Sequence, residues 1–210
     1  MTVYPFLGLG FNSWTQKFGR EVAQEGGSSS GLLLHLDANN SSSYSGTGTT
    51  WYDLSGNGNH ATLVNGPTYS QGALGIGFDG SNDYAEISSL DIPARPYTIS
   101  VWVSHNNNFT MNNETYISQD AASGTNDAVS LAKNGYFNGR TVALTNQLVP
   151  GSTGSSNVVS ITPLTAFDYW NITAVASTTD LKIYLNGTLD YSVTSSGAVV
   201  SKTGNIIKRS

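Results

Sequence analysis

The chain has no cysteine and few charged side chains. Without cysteine the fold contains no disulfide bond, and cysteine usage gives no indication of the redox compartment. Charged residues make up only 11% of the sequence and the net charge is −5, which disfavours non-specific binding to nucleic acid. Met1–Gly10 has no basic segment followed by a sustained apolar run, so it resembles neither a signal peptide nor a membrane span.

The sequence also lacks the motifs of several enzyme classes. His35, His60 and His105 are scattered and form no H-E-x-x-H pattern, and there is no G-x-S-x-G elbow. Gly75–Gly80 fits the letters of the dinucleotide motif G-x-G-x-x-G, but a strand pattern follows it where that motif requires a helix. We therefore predict a protein that is not an enzyme.

Short strand patterns separated by turn residues fill most of the chain. In Tyr97–Ser104 apolar and polar residues alternate with a period of two, which is typical of a half-buried strand. No long helical periodicity follows residue 30. The pattern predicts an all-β protein, a two-sheet antiparallel jelly-roll sandwich with Ile99, Val101 and Ile183 between the sheets. Asn-Gly pairs that favour hairpin turns occur at 65–66, 134–135, 138–139 and 186–187. The predicted strands are 32–36, 61–64, 74–78, 83–88, 97–104, 115–118, 128–132, 140–144, 157–161, 169–176, 181–185, 189–193 and 205–208.

Residues 1–30 have a different character, and we assign them to an N-terminal arm and linker ahead of a domain at 31–210. Ser13–Ala23 has the spacing of a short helix with Ser13 as its N-cap, and Gly26–Gly31 is a flexible linker by composition. The segment is either a frayed terminus or an anchoring arm, because its aromatic side chains would be a liability on a free tail. The residues predicted to make assembly contacts are Tyr4, Phe6, Phe11, Trp14 and Phe18.

Several stretches together resemble the laminin-G-like, concanavalin A-like lectin/glucanase domain family. Phe78–Tyr84 followed by Tyr97–Val103 resembles the central segment of the family, and Leu32–Asp37 resembles its first strand. Trp51–Leu63 resembles the family's D-SGNGN segment, and Trp170–Gly187 resembles its late hairpin. The resemblance covers residues 31–210 in the family's order and implies a concanavalin A-like jelly roll. It implies less about function, since this fold hosts lectins, adhesion modules, virion proteins and accessory domains of enzymes.

Two polar loops carry oxygen ligands that suit calcium. Asp53 and Asn57 alternate along one loop, and Asp79 and Asp83 would add carboxylates if the second loop converged on the same rim. The first loop is not an EF-hand, because Val64 occupies the position of the bidentate glutamate. The resemblance implies calcium near rim loops of this kind, whereas the residues alone also fit turns held by Asx hydrogen bonds. The sequence therefore leaves two interpretations open, turns held by Asx hydrogen bonds and a calcium site in which calcium would be the cofactor.

The resemblance also implies a sugar site, which needs an aromatic platform beside polar groups. Trp102 and Trp170 are more typical of core packing. A glycosidase would need two carboxylates facing each other, and the chain lacks the E-x-D-x-x-E pattern that the resembling jelly-roll glucanases carry. The residues predicted to bind carbohydrate are Trp51, Tyr52, Asn82 and Tyr84.

Two function classes follow from these observations. The aromatic arm and the lack of cysteine and signal peptide favour a structural virion protein, a bacteriophage capsid decoration or fibre-associated subunit. This lean version of the fold also resembles those encoded by tailed phages. Such a subunit would contact other virion proteins through its arm and form an oligomer or assembly. The alternative is a secreted or cell-surface carbohydrate-binding adhesion module of a bacterium, which an export signal or a second domain would favour.

The C-terminal segment Gly204–Arg209 resembles a strand that is not the last one in the family. In the family another strand follows and pairs near the first, whereas this sequence stops at Ser210. A sandwich without that strand exposes unpaired backbone groups along an edge. We therefore expect Val3–Phe18 to cover an edge or face of a sandwich, its own or a neighbour's, unless the sequence is a fragment.

Overall fold

The structure is a computed structural model that describes residues 6–9, 31–70, 75–88, 90, 92, 95–105, 114–120, 127–134, 141–147, 155–194 and 207–208. Every element in this part of the chain is a β-strand, which confirms the all-β prediction. The strands are β1 Phe6–Leu9, β2 Leu32–Leu36, β3 Thr50–Trp51, β4 Ala61–Val64, β5 Thr68–Ser70, β6 Gly75–Gly77, β7 Tyr84–Glu86, β8 Tyr97–Ser104, β9 Thr115–Asp120, β10 Asp127–Asn134, β11 Thr141–Gln147, β12 Ser155–Val159, β13 Tyr169–Ala176, β14 Asp180–Leu185, β15 Thr188–Thr194 and β16 Ile207–Lys208.

One layer of the sandwich is a six-stranded sheet in the order β15-β14-β13-β8-β1-β2. Its centre is the antiparallel pair of β8 and β13, in register from Tyr97 opposite Ala176 to Ser104 opposite Tyr169. Ile99 and Val101 on β8 are buried, and so is Ile183 on β14, as the alternation predicted. Because successive side chains of a strand point to opposite faces, Ser100 between Ile99 and Val101 belongs to the other face of the sheet, where it is also buried.

The strand β1 departs from the expected antiparallel pattern. It lies between β2 and β8 and is parallel to both, with Leu7 opposite Leu34 on one side and Ile99 on the other. A short segment from the predicted arm thus pairs along the edges of two strands of the sandwich. Pairing on both sides satisfies backbone groups that β2 and β8 would otherwise leave open along this gap.

The second layer consists of two four-stranded sheets, β12-β11-β10-β9 and β16-β7-β4-β3. They adjoin each other because β16 pairs with β7 and also lies beside β9. A small additional sheet pairs β5 with β6. The predicted strand at 83–88 is shorter in the structure, and β1, β3 and β5 were not predicted. Residues 205–206 of the predicted last strand lie outside the described residues.

The core between the layers is one apolar cluster with contributions from all three large sheets. It includes Leu34 and Leu36 of β2, Ile172 of β13, Leu131 of β10 and Leu63 of β4, each buried. Burial of such side chains stabilises the fold by about 1.5–3 kcal/mol each relative to exposure. The predicted helix Ser13–Ala23 lies outside the described residues.

Candidate functional site

Asp53 is the centre of a hydrogen-bonded loop between β3 and β4. One carboxylate oxygen accepts the backbone N–H groups of His35 and Ser55, both at 2.9 Å, and the other accepts the Ser55 hydroxyl at 2.6 Å and the Asn59 N–H at 3.0 Å. Burial alone would raise the pKa of Asp53, but these hydrogen bonds together hold it below its usual range. Both carboxylate oxygens are therefore engaged by the protein itself.

In the second predicted metal loop, the carboxylates of Asp79 and Asp83 also accept hydrogen bonds from backbone N–H groups of the loop itself. Asp79 Oδ1 accepts the N–H groups of Ser81 at 2.8 Å and Asn82 at 3.3 Å, and Asp83 Oδ2 accepts the Asp79 N–H at 3.1 Å. Gly80 has a φ of +80° within this turn, a conformation that suits glycine. The geometry is that of an Asx turn, the alternative left open by the sequence.

The two loops lie at opposite ends of β4. Asn59, which bonds Asp53, precedes Ala61–Val64, whereas Asn65 follows this strand and donates its side-chain amide to the Asn82 carbonyl at 2.7 Å. Four extended residues span about 13 Å. The four predicted ligands Asp53, Asn57, Asp79 and Asp83 therefore do not converge, and the described residues contain no group of three or more His, Asp or Glu side chains that would hold a metal. The residues do not fit a shared calcium site.

The residues predicted to bind carbohydrate are also dispersed. Trp51 is 7% exposed and belongs to the core, so it offers no platform. Tyr52 is 49% exposed, and its ring packs edge-on against His60 with the centroids 5.2 Å apart. Asn82 and Tyr84 lie at the other end of β4, beyond reach of Tyr52. The structure therefore does not assemble these four residues into one site.

An open cleft of about 430 Å³ lies elsewhere on the rim, and we call it the Tyr69 groove. Tyr69 of β5 packs edge-on against Tyr44, with the ring centroids 5.4 Å apart. Gly46 approaches the Tyr69 ring so closely that a Cβ atom there would lie 3.4 Å from it, and its φ of +90° also favours glycine. The groove is lined by Asn39, Ser41, Tyr44, Ser45, Gly46, Thr47 and Tyr69.

Internal hydrogen bonds fix the loop that forms most of the groove. The Tyr44 hydroxyl donates to the Gly48 carbonyl at 2.9 Å, and the N–H groups of Ser43 and Tyr44 both donate to the Asn40 carbonyl at 2.8 Å. Ser43 attaches this loop to the segment after β3, because its hydroxyl donates to the Tyr52 carbonyl at 2.6 Å. A surface held in this way loses little conformational freedom when a ligand binds.

A buried polar cluster occupies one end of the sandwich interior. Lys133 is 1% exposed, and its Nζ donates to Glu114 Oε1 at 2.7 Å. The other carboxylate oxygen of Glu114 lies 3.2 Å from His105 Nε2, which in turn lies 2.9 Å from the Tyr116 hydroxyl. Burial raises the pKa of Glu114, but hydrogen bonds and charges of His105 and Lys133 outweigh it and hold the pKa below its usual range. Burial also raises the pKa of Tyr116.

Of the five predicted assembly residues, Phe6 alone falls within the described part of the chain, where it begins β1. Tyr4, Phe11, Trp14 and Phe18 lie outside the described residues. No described helix is long and apolar enough to span a membrane. The assembly role of the arm stays a prediction.

The sequence of the chain matches one known protein family. The sequence pattern of the concanavalin A-like lectin/glucanases superfamily, in its laminin G form, matches residues 79–208, so the chain belongs to this superfamily. The match confirms the family resemblance seen in the sequence. It does not include residues 39–69, which supply the Tyr69 groove.

Several solved structures are similar to this chain. Domain 4 of an extracellular arabinanase from Geobacillus stearothermophilus, solved with arabinotriose, is 14% identical and covers 83% of this chain and 80% of its own, with a TM-score of 0.59. A carbohydrate-binding module from Bacillus subtilis is 14% identical over 70% of this chain and 95% of its own, with a TM-score of 0.42. Domains LG4-5 of the mouse laminin α1 chain are 13% identical over 62% of this chain and 32% of theirs, with a TM-score of 0.45. These similarities concern the fold alone, and no curated protein matches the chain.

The Tyr69 groove was not predicted from the sequence. Tyr44 and Tyr69 stand 25 residues apart in a stretch without a recognisable motif, and they meet because the 37–48 loop folds back toward β5. The available signal was a dense run of Ser, Asn, Gly and Thr at 39–49 between two predicted strands, which indicates a long polar loop.

Proposed function

We propose that the protein is a non-catalytic carbohydrate-binding module that holds a glycan in the Tyr69 groove. The observation that carries the proposal is an aromatic wall facing hydroxyl and amide side chains in a rigid cleft. Ligand pockets typically have volumes of about 300–1,000 Å³, and the groove falls within this range. This is the alternative that the sequence analysis left open.

The chemistry of the groove suits sugar hydroxyls. Ser41, Thr47 and Asn39 bring groups that both donate and accept hydrogen bonds, as a sugar hydroxyl does. The ring of Tyr69 is half-buried and offers apolar surface to the C–H groups of a sugar ring. The related arabinanase domain was solved with arabinotriose, so an oligosaccharide is among the ligands that this fold accommodates.

The proposal includes an extracellular or cell-surface location on a bacterium, where such modules meet polysaccharides. The arabinanase from which the similar domain derives is extracellular, which supports this location. A virion role, with capsid or fibre partners bound through the arm, stays a prediction of the sequence, and no described contact favours it.

The lining of the groove also supports binding without catalysis. Hydrolysis of a glycosidic bond would require two positioned carboxylates, and the residues that line the groove include none.

A glycan array with the intact chain tests the proposal. We expect binding to at least one oligosaccharide, and the Tyr69→Ala variant should weaken it by about tenfold or more, because aromatic contacts dominate small interfaces. Thr47→Ala, at an exposed groove position, should weaken it less. Tyr52→Ala is the matched control, because Tyr52 is an exposed aromatic residue outside the groove. Binding that depends on Tyr52 and not on Tyr69 would contradict the proposal, as would release of reducing ends from a bound polymer.

A further inference from the structure

We infer that the Tyr69 groove selects neutral glycans and rejects acidic ones such as uronates and sulfated polymers. The inference rests on the proposed function, because it specifies the ligand of the same groove. The inference concerns the charge of the ligand, because neutral and acidic polysaccharides can have similar shapes and yet differ in charge. Three observations carry it: the lining, the surrounding sequence and the carboxylate behind the loop.

The groove lining offers no cation to an acidic sugar. All seven lining residues are uncharged at neutral pH, and the polar ones are hydroxyl or amide side chains. Carboxylates and sulfates are recognised in proteins mainly by arginine and lysine, whose charge-assisted hydrogen bonds are about twice as strong as neutral ones. A neutral hydroxyl can both donate to and accept from side chains of this kind, whereas an anionic group would lose water without gaining a counter-charge.

The sequence around the groove contains acidic residues and no basic ones. From Glu21 to Ala94 the chain has no lysine or arginine, and every residue of the groove comes from this stretch. The same stretch includes Asp37, Asp53, Asp79, Asp83 and Glu86 among the described residues. The described lysines and the described arginine lie elsewhere in the sequence: Lys133 is buried, Lys182 is on β14, Lys208 is on β16, and Arg95 is half-buried. The stretch that builds the groove therefore contributes negative charge and no ammonium or guanidinium group, a charge balance that disfavours a polyanion.

Asp37 places a carboxyl group directly behind the groove. Its Oδ1 accepts the N–H of Asn39 at 2.9 Å, and Asn39 is a lining residue. The side chain is 6% exposed, so water screens its charge less than it would at the surface.

Matched polymers that differ only in charge test the inference. A neutral polysaccharide that binds the intact chain, chosen from arabinan, galactan, xylan and dextran, is oxidised at its primary hydroxyls where it has them, or sulfated, to give an acidic partner with the same linkages. By affinity electrophoresis at low salt, we expect the acidic partner to bind at least about tenfold more weakly, equivalent to 1.4 kcal/mol. Added salt should recover part of the lost affinity, since it screens repulsion.

A charge added to the groove should reverse the preference. Thr47→Lys places an ammonium group at the exposed groove wall, and we expect it to raise affinity for the acidic partner severalfold without a comparable gain for the neutral polymer. Thr178→Lys, on the exposed turn between β13 and β14, makes the same change in net charge away from the groove and should have no such effect. Equal gains from both variants would mean that net charge decides and the groove does not.

The outcomes separate the two proposals. If acidic polymers bind as well as neutral ones and Tyr69→Ala weakens both, the groove is a glycan site but the inference about charge is wrong. If no polymer of either kind binds, or if binding survives Tyr69→Ala, the proposed function fails and the inference falls with it. If only neutral partners bind, through Tyr69, both stand.

Discussion

At the scale of single residues, Asp53 holds its loop together through the hydrogen bonds that its carboxylate accepts. Its carboxylate gathers three backbone N–H groups and one hydroxyl from His35, Ser55 and Asn59, and thereby ties β2 to the loop that leads into β4. Hydrogen bonds to a charged group contribute about 1.5–3 kcal/mol each, and donors left unpaired by its removal add a desolvation cost. The sequence offers this residue as a metal ligand because both roles require the same oxygen atoms.

Replacing Asp53 should therefore lower stability substantially. Asp53→Ala is expected to reduce the free energy of unfolding by about 2–4 kcal/mol in urea titrations at pH 7. Asp53→Asn retains an acceptor and should cost less. Because the pKa of Asp53 is lower in the folded state, its contribution is present above the pKa of the unfolded chain and is lost as the pH falls through the folded pKa. The variants should therefore approach the parent in acid, and a constant difference at every pH would contradict this account.

Glu114 and Lys133 form a buried pair that behaves differently from ion pairs on the surface. Glu114→Gln leaves the Lys133 ammonium buried without its counter-charge and should cost about 3–5 kcal/mol. The double variant Glu114→Gln/Lys133→Met should cost less than the sum of the two single variants, as a double-mutant cycle in urea will measure. Since the pKa of Glu114 is lowered by folding, its stabilisation is also lost as the pH falls through the folded value.

Lys182→Met is the control for this pair. Lys182 Nζ lies 3.8 Å from Asp180 Oδ2, and each side chain is 34% exposed, so the change should be within about 0.5 kcal/mol. Additive effects at Glu114 and Lys133, or a cost at Lys182 as large as theirs, would contradict the assignment of Lys133 as a buried cation that needs its partner.

At the scale of elements, β1 joins two strands that do not pair with each other. Its backbone is bonded to β2 on one side and to β8 on the other, so that β2 is the edge strand of the six-stranded sheet and β1 lies next to it. Strands with open edges on both sides of a gap invite pairing with other chains. This element therefore determines whether the sheet is continuous.

Deleting residues 1–25 should open that gap. We expect the truncated chain to melt at a lower temperature and to self-associate, as seen by calorimetry and light scattering, because β2 and β8 would each expose a row of backbone groups. Leu7→Pro is a milder form of the same experiment, since proline removes a backbone donor from a strand that is paired on both sides. A truncated chain that is monomeric and as stable as the parent would show that β1 contributes little.

The sequence predicts four strands with the bounds that the structure shows, and Leu32–Leu36 and Ala61–Val64 are the two short ones among them. Tyr97–Ser104 and Tyr169–Ala176 were predicted with the bounds that the structure shows, because a period of two over eight residues specifies both strand and buried face. β3, with two residues, and β1, whose sequence Phe6-Leu7-Gly8-Leu9 does not alternate, carry no such signal. Their pairing depends on strands distant in sequence, which local patterns do not encode.

The site was harder to predict than the fold for a related reason. The residue types at the two Asp loops were consistent with a metal, but whether they share a rim depends on which end of β4 each loop occupies. Likewise, Tyr52 and Tyr84 were plausible as a platform only if β3 and β7 carried them to the same end of the sheet. Residue composition gives the chemistry of a loop, and the direction of the intervening strand gives its position.

At the scale of the whole molecule, the melting temperature tests whether the folded chain binds calcium. A ligand that binds only the folded state raises the melting temperature by mass action. Because the predicted ligands lie at two ends of β4 with their carboxylates engaged, we expect the melting temperature to be the same in EDTA and in millimolar calcium. A melting temperature that falls in EDTA and is recovered by calcium but not by magnesium would contradict this expectation. Such a result would mean that calcium binds through ligands other than these four.

The burial of Lys133 has a further consequence, for resistance to digestion. Trypsin-like proteases cleave after lysine or arginine in accessible, extended backbone, and they cut poorly before proline. Between Arg20 and Lys133 the only basic residue is Arg95, which is followed by Pro96, and Lys133 itself is held inside the sandwich. The segment that builds the Tyr69 groove therefore offers such enzymes no ready cleavage point while the fold is intact.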